Sequence, residues 1–151
     1  MRQWTSLEEV LDFAIGEEEK AASFYDELSA RATGSDRKAI FAAFANEERA
    51  HKARLLEVKR GGAALAPQKR VADLKIGDYL VEVEPSPEMD YPNALRVAMA
   101  KERAAFQLYS DLAAQMGRRE LREVFQGLAQ EEAQHKLRFE SEYDQEILKE
   151  N

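Results

Sequence analysis

Shifted by 84 places, the sequence lies on itself without a gap. Residues 11–57 fall on 95–141, and 14 of those 47 positions are identical. The matches include Leu11/Leu95, Glu18/Glu102, Tyr25/Tyr109, Phe41/Phe125, Glu47/Glu131, Glu48/Glu132, His51/His135 and Arg54/Arg138. A composition rich in Ala and Glu raises the rate of chance matches. The chain has only two histidines, however, and they pair with each other. A fold for this chain must therefore consist of two related halves.

Each half is a helical hairpin. The four prolines (Pro67, Pro85, Pro87, Pro92) all lie between the halves, while residues 6–60 and 93–151 contain none and are rich in Ala, Leu, Glu, Lys and Arg. Ser6 with Glu9 forms a capping box that opens the first helix. Thr33-Gly34-Ser35 breaks the first tract, with Ser35 as the expected N-cap of the second helix. Gly61-Gly62 ends that helix, Asp90 and Pro92 open the third, and Gly117 separates it from the fourth. The expectation is four helices of roughly 25 residues, each about 37 Å long. They form an all-α bundle of a hairpin over 6–60, a crossover over 61–92 and a hairpin over 93–150. The crossover is too long for a tight turn and too apolar (Leu74, Ile76, Tyr79, Leu80, Val81, Val83) for a free linker. It is expected to lie along the bundle, making the second and third helices parallel.

Apolar residues three and four apart mark the buried stripe of each helix. The stripes read Leu7, Leu11, Ala14, Glu18, Ala21, Tyr25, Leu28; Phe41, Phe44, Glu48, His51, Leu55, Val58; Leu95, Ala98, Glu102, Ala105, Tyr109, Leu112, Met116; and Leu121, Phe125, Leu128, Glu132, His135, Phe139. Every stripe carries a glutamate at its middle, and two add a histidine three residues later. An isolated carboxylate in an apolar interior costs several kcal/mol even after relaxation, and four together repel. No stripe contains a Lys or Arg to neutralise them. Two divalent cations would balance four carboxylates, and two neutral imidazoles complete a mixed oxygen and nitrogen donor set suited to iron, manganese or zinc.

The segments "FAIGEEEKAASFYDELSARA", "FANEERAHKARLLE", "MAKERAAFQLYSDLAAQ" and "LAQEEAQHKLRFE" resemble the rubrerythrin-like branch of the ferritin-like superfamily over nearly the whole chain. Two Glu-x-x-His motifs, each 30 residues after a helical glutamate (18 to 48, 102 to 132), carry the resemblance. It implies a ferritin-like four-helix bundle holding two iron ions, with manganese or zinc as substitutes in purified protein. Glu48 and Glu132 would bridge the metals, with Glu18 and His51 completing one set of ligands and Glu102 and His135 the other. The resemblance further implies an oxidoreductase that reduces peroxide or O2. The chain lacks the cysteine-ligated rubredoxin module, so electrons must come from an external donor such as a rubredoxin-like protein. It also has Ala105 where the family carries an extra glutamate, which leaves a symmetric six-ligand site closer to a bacterioferritin-type ferroxidase centre. Iron oxidation for storage or delivery is the alternative, and a metal-stabilised structural domain a third reading.

Tyr25 and Tyr109 lie two turns beyond Glu18 and Glu102 on the same faces. They are expected to pack in the core with the hydroxyl on a polar partner; the sharper alternative is a hydrogen bond to a ligand, or an electron relay. Glu47 and Glu131 fall one position off the stripes and are expected in solvent or outside the ligand set, each within reach of the histidine four residues on. Glu17 and Glu19 are expected at the surface.

Charge and composition exclude other classes. With 29 acidic against 22 basic residues the net charge is −7, which repels nucleic acid and anionic membrane surfaces. The absence of cysteine removes disulfides, thiol chemistry and cysteine-ligated clusters. The start of the chain is acidic where a signal peptide would be apolar, and no apolar run nears the roughly 20 residues of a membrane span. A cytoplasmic protein is expected, and hairpins joined by a long crossover are compatible with a homodimer.

Overall fold

The computed structural model describes residues 6–61 and 89–150. Four helices fill them: α1 (Leu7–Arg31), α2 (Ser35–Arg60), α3 (Tyr91–Gln115) and α4 (Arg119–Glu150). There is no strand among the described residues. The local signals act largely as read. Ser6 caps α1 by accepting from the Glu9 backbone N–H at 3.2 Å, and Asp90 caps α3 by accepting from that of Asn93 at 2.9 Å. Pro92 sits in the first turn of α3, where its missing N–H costs nothing. One cap differs from expectation. Ser35 is the first residue of α2, and Gly34 precedes it as N-cap with φ +90°, a left-handed backbone that a glycine adopts without strain. The turn is made by the glycine's freedom, not by a serine side chain. Helix α4 is longer than expected, at 32 residues.

Within the first hairpin, Lys52 meets Glu19 at 3.4 Å, Lys59 meets Asp12 at 2.5 Å and Arg49 meets Asp26, fixing an antiparallel register. Between hairpins, Tyr109 of α3 reaches Glu18 of α1 while Tyr25 reaches Glu102. Higher numbers on one helix meet lower numbers on the other, so α1 and α3 are antiparallel and α2 and α3 run in the same direction. That direction agrees with the expectation for the crossover, whose own path, with its apolar residues at 74–83, lies outside the described residues.

The core is two apolar clusters, one toward each end of the bundle. Leu7, Leu11, Leu55, Leu112, Phe125 and Leu128 belong to one; Tyr25, Leu28, Phe41, Leu95 and Phe139 belong to the other. All of these are fully buried or nearly so. The stripe glutamates fall between the two clusters, so the apolar ends hold the polar middle away from water.

Candidate metal centre

Glu18, Glu48, His51, Glu102, Glu132 and His135 converge at mid-bundle, each no more than 3% exposed. They form two nests. Glu18, Glu48, His51 and Glu132 make one, and Glu48, Glu102, Glu132 and His135 make the other; within each, one donor atom per residue lies within 4.8 Å of all the others. Glu48 and Glu132 belong to both. His51 Nδ1 stands 3.5 Å from Glu18 Oε2, 3.9 Å from Glu48 Oε2 and 3.2 Å from Glu132 Oε1. His135 Nδ1 stands 2.8 Å from Glu48 Oε1 and 3.6 Å from both Glu102 Oε2 and Glu132 Oε1. All six residues marked by the sequence are brought together.

The donor atoms converge without satisfying one another. Glu18 Oε2, both Glu48 oxygens, Glu102 Oε2, Glu132 Oε1 and the Nδ1 atoms of both histidines are buried with no aligned hydrogen bond. Buried polar groups are ordinarily paired, because an unpaired one forfeits its hydration for nothing. Glu142 shows what this chain does with a buried carboxylate elsewhere. It continues the α4 stripe, is 3% exposed, and lies against Arg37 Nε at 2.9 Å and Arg138 at 3.6 Å. The four central glutamates have no such arginine. Two divalent cations fit their donor set and charge.

Without cations, the centre is electrostatically strained. Burial, then repulsion from Glu102 and the other central carboxylates, pushes Glu48 and Glu132 well above the carboxylate range, and burial also raises Glu102. For Glu18, burial acts upward, but the adjacent Glu48 carboxyl and His51 imidazole outweigh it and hold it low. Burial would depress the His135 imidazolium; the carboxylates of Glu102 and Glu48 reverse this and push it up to about 10. His51 is raised in the same way by Glu18 and Glu131, against its burial.

The groups behind the donors come from the opposite hairpin. Tyr109 donates to Glu18 Oε1 at 2.6 Å, and Tyr25 donates to Glu102 Oε1. Burial, reinforced by the nearby carboxylates, drives both phenols well above their ordinary range, so they stay protonated donors. Both tyrosines thus pack in the core and hold a polar partner, which is one of the four converging glutamates. Glu47 and Glu131 lie outside the six converging donors, and each reaches a histidine on the facing helix and not the one four residues on. Glu47 Oε2 meets Nε2 of His135 at 2.8 Å and Glu131 Oε1 lies 3.3 Å from Nε2 of His51, so each serves the other repeat's histidine. Spacing within a helix could not reveal this, because the contact is set by how α2 and α4 pack. Glu19 is exposed as expected. Glu17 is half-buried and lines a cavity of about 40 Å³ between α1 and α3, with Phe13, Ala21, Ala105, Leu108 and the central glutamates.

Known proteins confirm the family. The Rubrerythrin family model matches residues 9–143. The chain belongs to the rubrerythrin family. Among solved structures, this rubrerythrin-family chain is similar to a hypothetical protein from Pyrococcus furiosus, at 29% identity over 92% of this chain and 89% of that one, with a TM-score of 0.73. It is also similar to a proposed ferritin-like diiron-carboxylate protein from Thermotoga maritima, at 19% identity over 95% and 98% of the two chains, with a TM-score of 0.80. The fold is therefore the ferritin-like four-helix bundle. No curated protein matches the sequence. Membership of the rubrerythrin family implies iron binding, and a buried Glu/His cluster that could hold metal ions is present. No helix among the described residues is long and apolar enough to cross a membrane.

Proposed function

We propose that this protein is a diiron oxidoreductase that reduces peroxide or O2 and is re-reduced by an external electron donor, such as a rubredoxin-like protein. The observation that carries this reading is the sharing of Glu48 and Glu132 between the two donor nests, which suits two cations held side by side and not one isolated structural ion. In this reading Glu18 and His51 complete one cation's ligands, and Glu102 and His135 the other's. When bound, the iron pair supplies the electron transfer that the reduction of O2 or peroxide requires.

The chain's own residues prepare the site. The apolar clusters at both ends exclude bulk water. Tyr25 and Tyr109 fix the orientation of Glu102 and Glu18, and Glu47 and Glu131 stand behind the imidazoles. The cavity between α1 and α3 has room for about two or three water-sized molecules. Ala105 on its wall keeps the space open, where a larger side chain would fill it. An oxidant as small as O2 or hydrogen peroxide fits there.

The absence of a carboxylate at Ala105 also favours a second reading, oxidation of iron for storage or delivery, because the six groups then form a symmetric set. Stopped-flow mixing of the Fe(II)-loaded protein with O2 and with H2O2 separates the two. Rapid oxidation by peroxide, followed by recycling with a reductant, supports the oxidoreductase. Turnover of several Fe(II) into released Fe(III) per site, with sluggish reaction toward peroxide, supports iron handling.

A further inference from the structure

The two halves of the centre carry the same donors but not the same support. Resting on the reading of the six residues as ligands of two cations, we infer that the position built by Glu102 and His135 is the tighter one and fills first, and that Glu47 and Phe44 set it apart.

The internal repeat makes the comparison direct, because 47/131, 51/135 and 54/138 are equivalent positions with identical residues. His135 Nε2 forms a 2.8 Å hydrogen bond with Glu47. His51 Nε2 stands 3.3 Å from Glu131 without an aligned hydrogen bond. The other oxygen of Glu131 is engaged by Arg54 Nη1 at 3.3 Å. The equivalent arginine, Arg138, turns instead to Glu142 at 3.6 Å. The reason lies in the sequence: the repeat position of Glu142 is Val58, which offers Arg54 no carboxylate. Arg54 therefore pairs with Glu131, while Glu142 draws Arg138 away from Glu47.

A second difference is independent of the first. The Phe44 ring lies over the His135 imidazole, with centroids 4.4 Å apart. The repeat position of Phe44 is Leu128, which has no ring to set against His51. An imidazole presents the Nδ1 lone pair to a cation only when its proton sits on Nε2. A carboxylate accepting that N–H selects the tautomer and makes the nitrogen a stronger donor. His135 has this support undivided and its plane fixed by Phe44; His51 shares its carboxylate with an arginine.

Anaerobic titration with Co(II), followed by calorimetry and visible absorption, tests the inference on the wild type and on Glu47→Gln, Glu131→Gln and Arg54→Gln, each checked for helical content. Two Co(II) should bind in separable steps. Glu47→Gln should weaken the first step about 10- to 100-fold, the usual effect of removing such a partner. Glu131→Gln should change only the second step, and by less. Arg54→Gln should tighten the second step by returning Glu131 to His51. In the protein with one Co(II), the Nε2 proton of His135 should give a slowly exchanging, hyperfine-shifted resonance that Glu47→Gln abolishes. Two indistinguishable steps in the wild type, or equal effects of Glu47→Gln and Glu131→Gln, would overturn the inference and leave the ligand assignment standing. Fewer than two Co(II) per wild-type chain would overturn both.

Discussion

The phenol of Tyr109, on α3, donates a 2.6 Å hydrogen bond to Glu18, on α1, at the centre of the bundle. Its repeat partner Tyr25 does the same for Glu102 in the opposite direction. Each hairpin thus supports the other's carboxylate, so the centre exists only when both halves are docked. Tyr109→Phe removes the donor and leaves Glu18 Oε1 buried and unpaired. Stability to urea should fall by about 1–3 kcal/mol, and metal affinity by roughly 10-fold, with helical content retained. A variant matching the wild type in both measurements would show that the hydroxyl does no more than fill space.

Arg37→Ala probes the buried carboxylate that is not part of the centre. Glu142 would keep only Arg138, at 3.6 Å and half in solvent. Chemical denaturation should show a loss of about 2 kcal/mol, below the range for a fully uncompensated buried charge because one partner remains. Metal content should not change. Loss of metal together with stability would mean that the Glu142 pair and the centre are not separate.

Metal uptake should release protons. Without cations the imidazole of His135 is held up to about 10, and the carboxyls of Glu48 and Glu132 are raised by burial and by their neighbours. At neutral pH His135 holds a proton that a cation must displace, and the upward shift of Glu48 and Glu132 acts in the same sense, so affinity strengthens as pH rises and weakens as it falls. Calorimetry in two buffers of different ionisation enthalpy measures the number released. Identical heats in both buffers would contradict the charge state described here.

Removing the metal should expose the cost of packing four carboxylates together. A ligand that binds only the folded state at about 1,000 times its Kd contributes about 4 kcal/mol. The metal-free wild type should therefore melt well below the loaded protein. Glu48→Ala/Glu132→Ala, which relieves much of the repulsion, should melt at one temperature with or without metal.

Much of this was legible in the sequence because helical periodicity is short-range. Ser6, Asp90 and Pro92 mark helix ends through contacts within a turn, and the stripes through Glu18, Glu48, Glu102 and Glu132 name the buried face of each helix. The repeat then brings the six donors to one level. What periodicity does not encode is the offset between helices. The crossed pairs Glu47–His135 and Glu131–His51 depend on it, and so does the pairing of Arg37 with Glu142. Glu142 could have been found, three residues beyond Phe139 on the α4 stripe. Its partner on α2 could not. Ser35 suits capping by its residue type, but the adjacent Gly34 supplies the φ +90° backbone that the turn uses, and residue type alone does not distinguish the two.

The most direct test is metal content by mass spectrometry, on protein purified without added chelator, for the wild type and for Glu48→Ala/Glu132→Ala. Two metals per wild-type chain and none in the variant is the expected result, since both proposed bridges are gone. Equal metal in the two proteins would contradict the assignment of the buried carboxylates as the cradle of a cation pair.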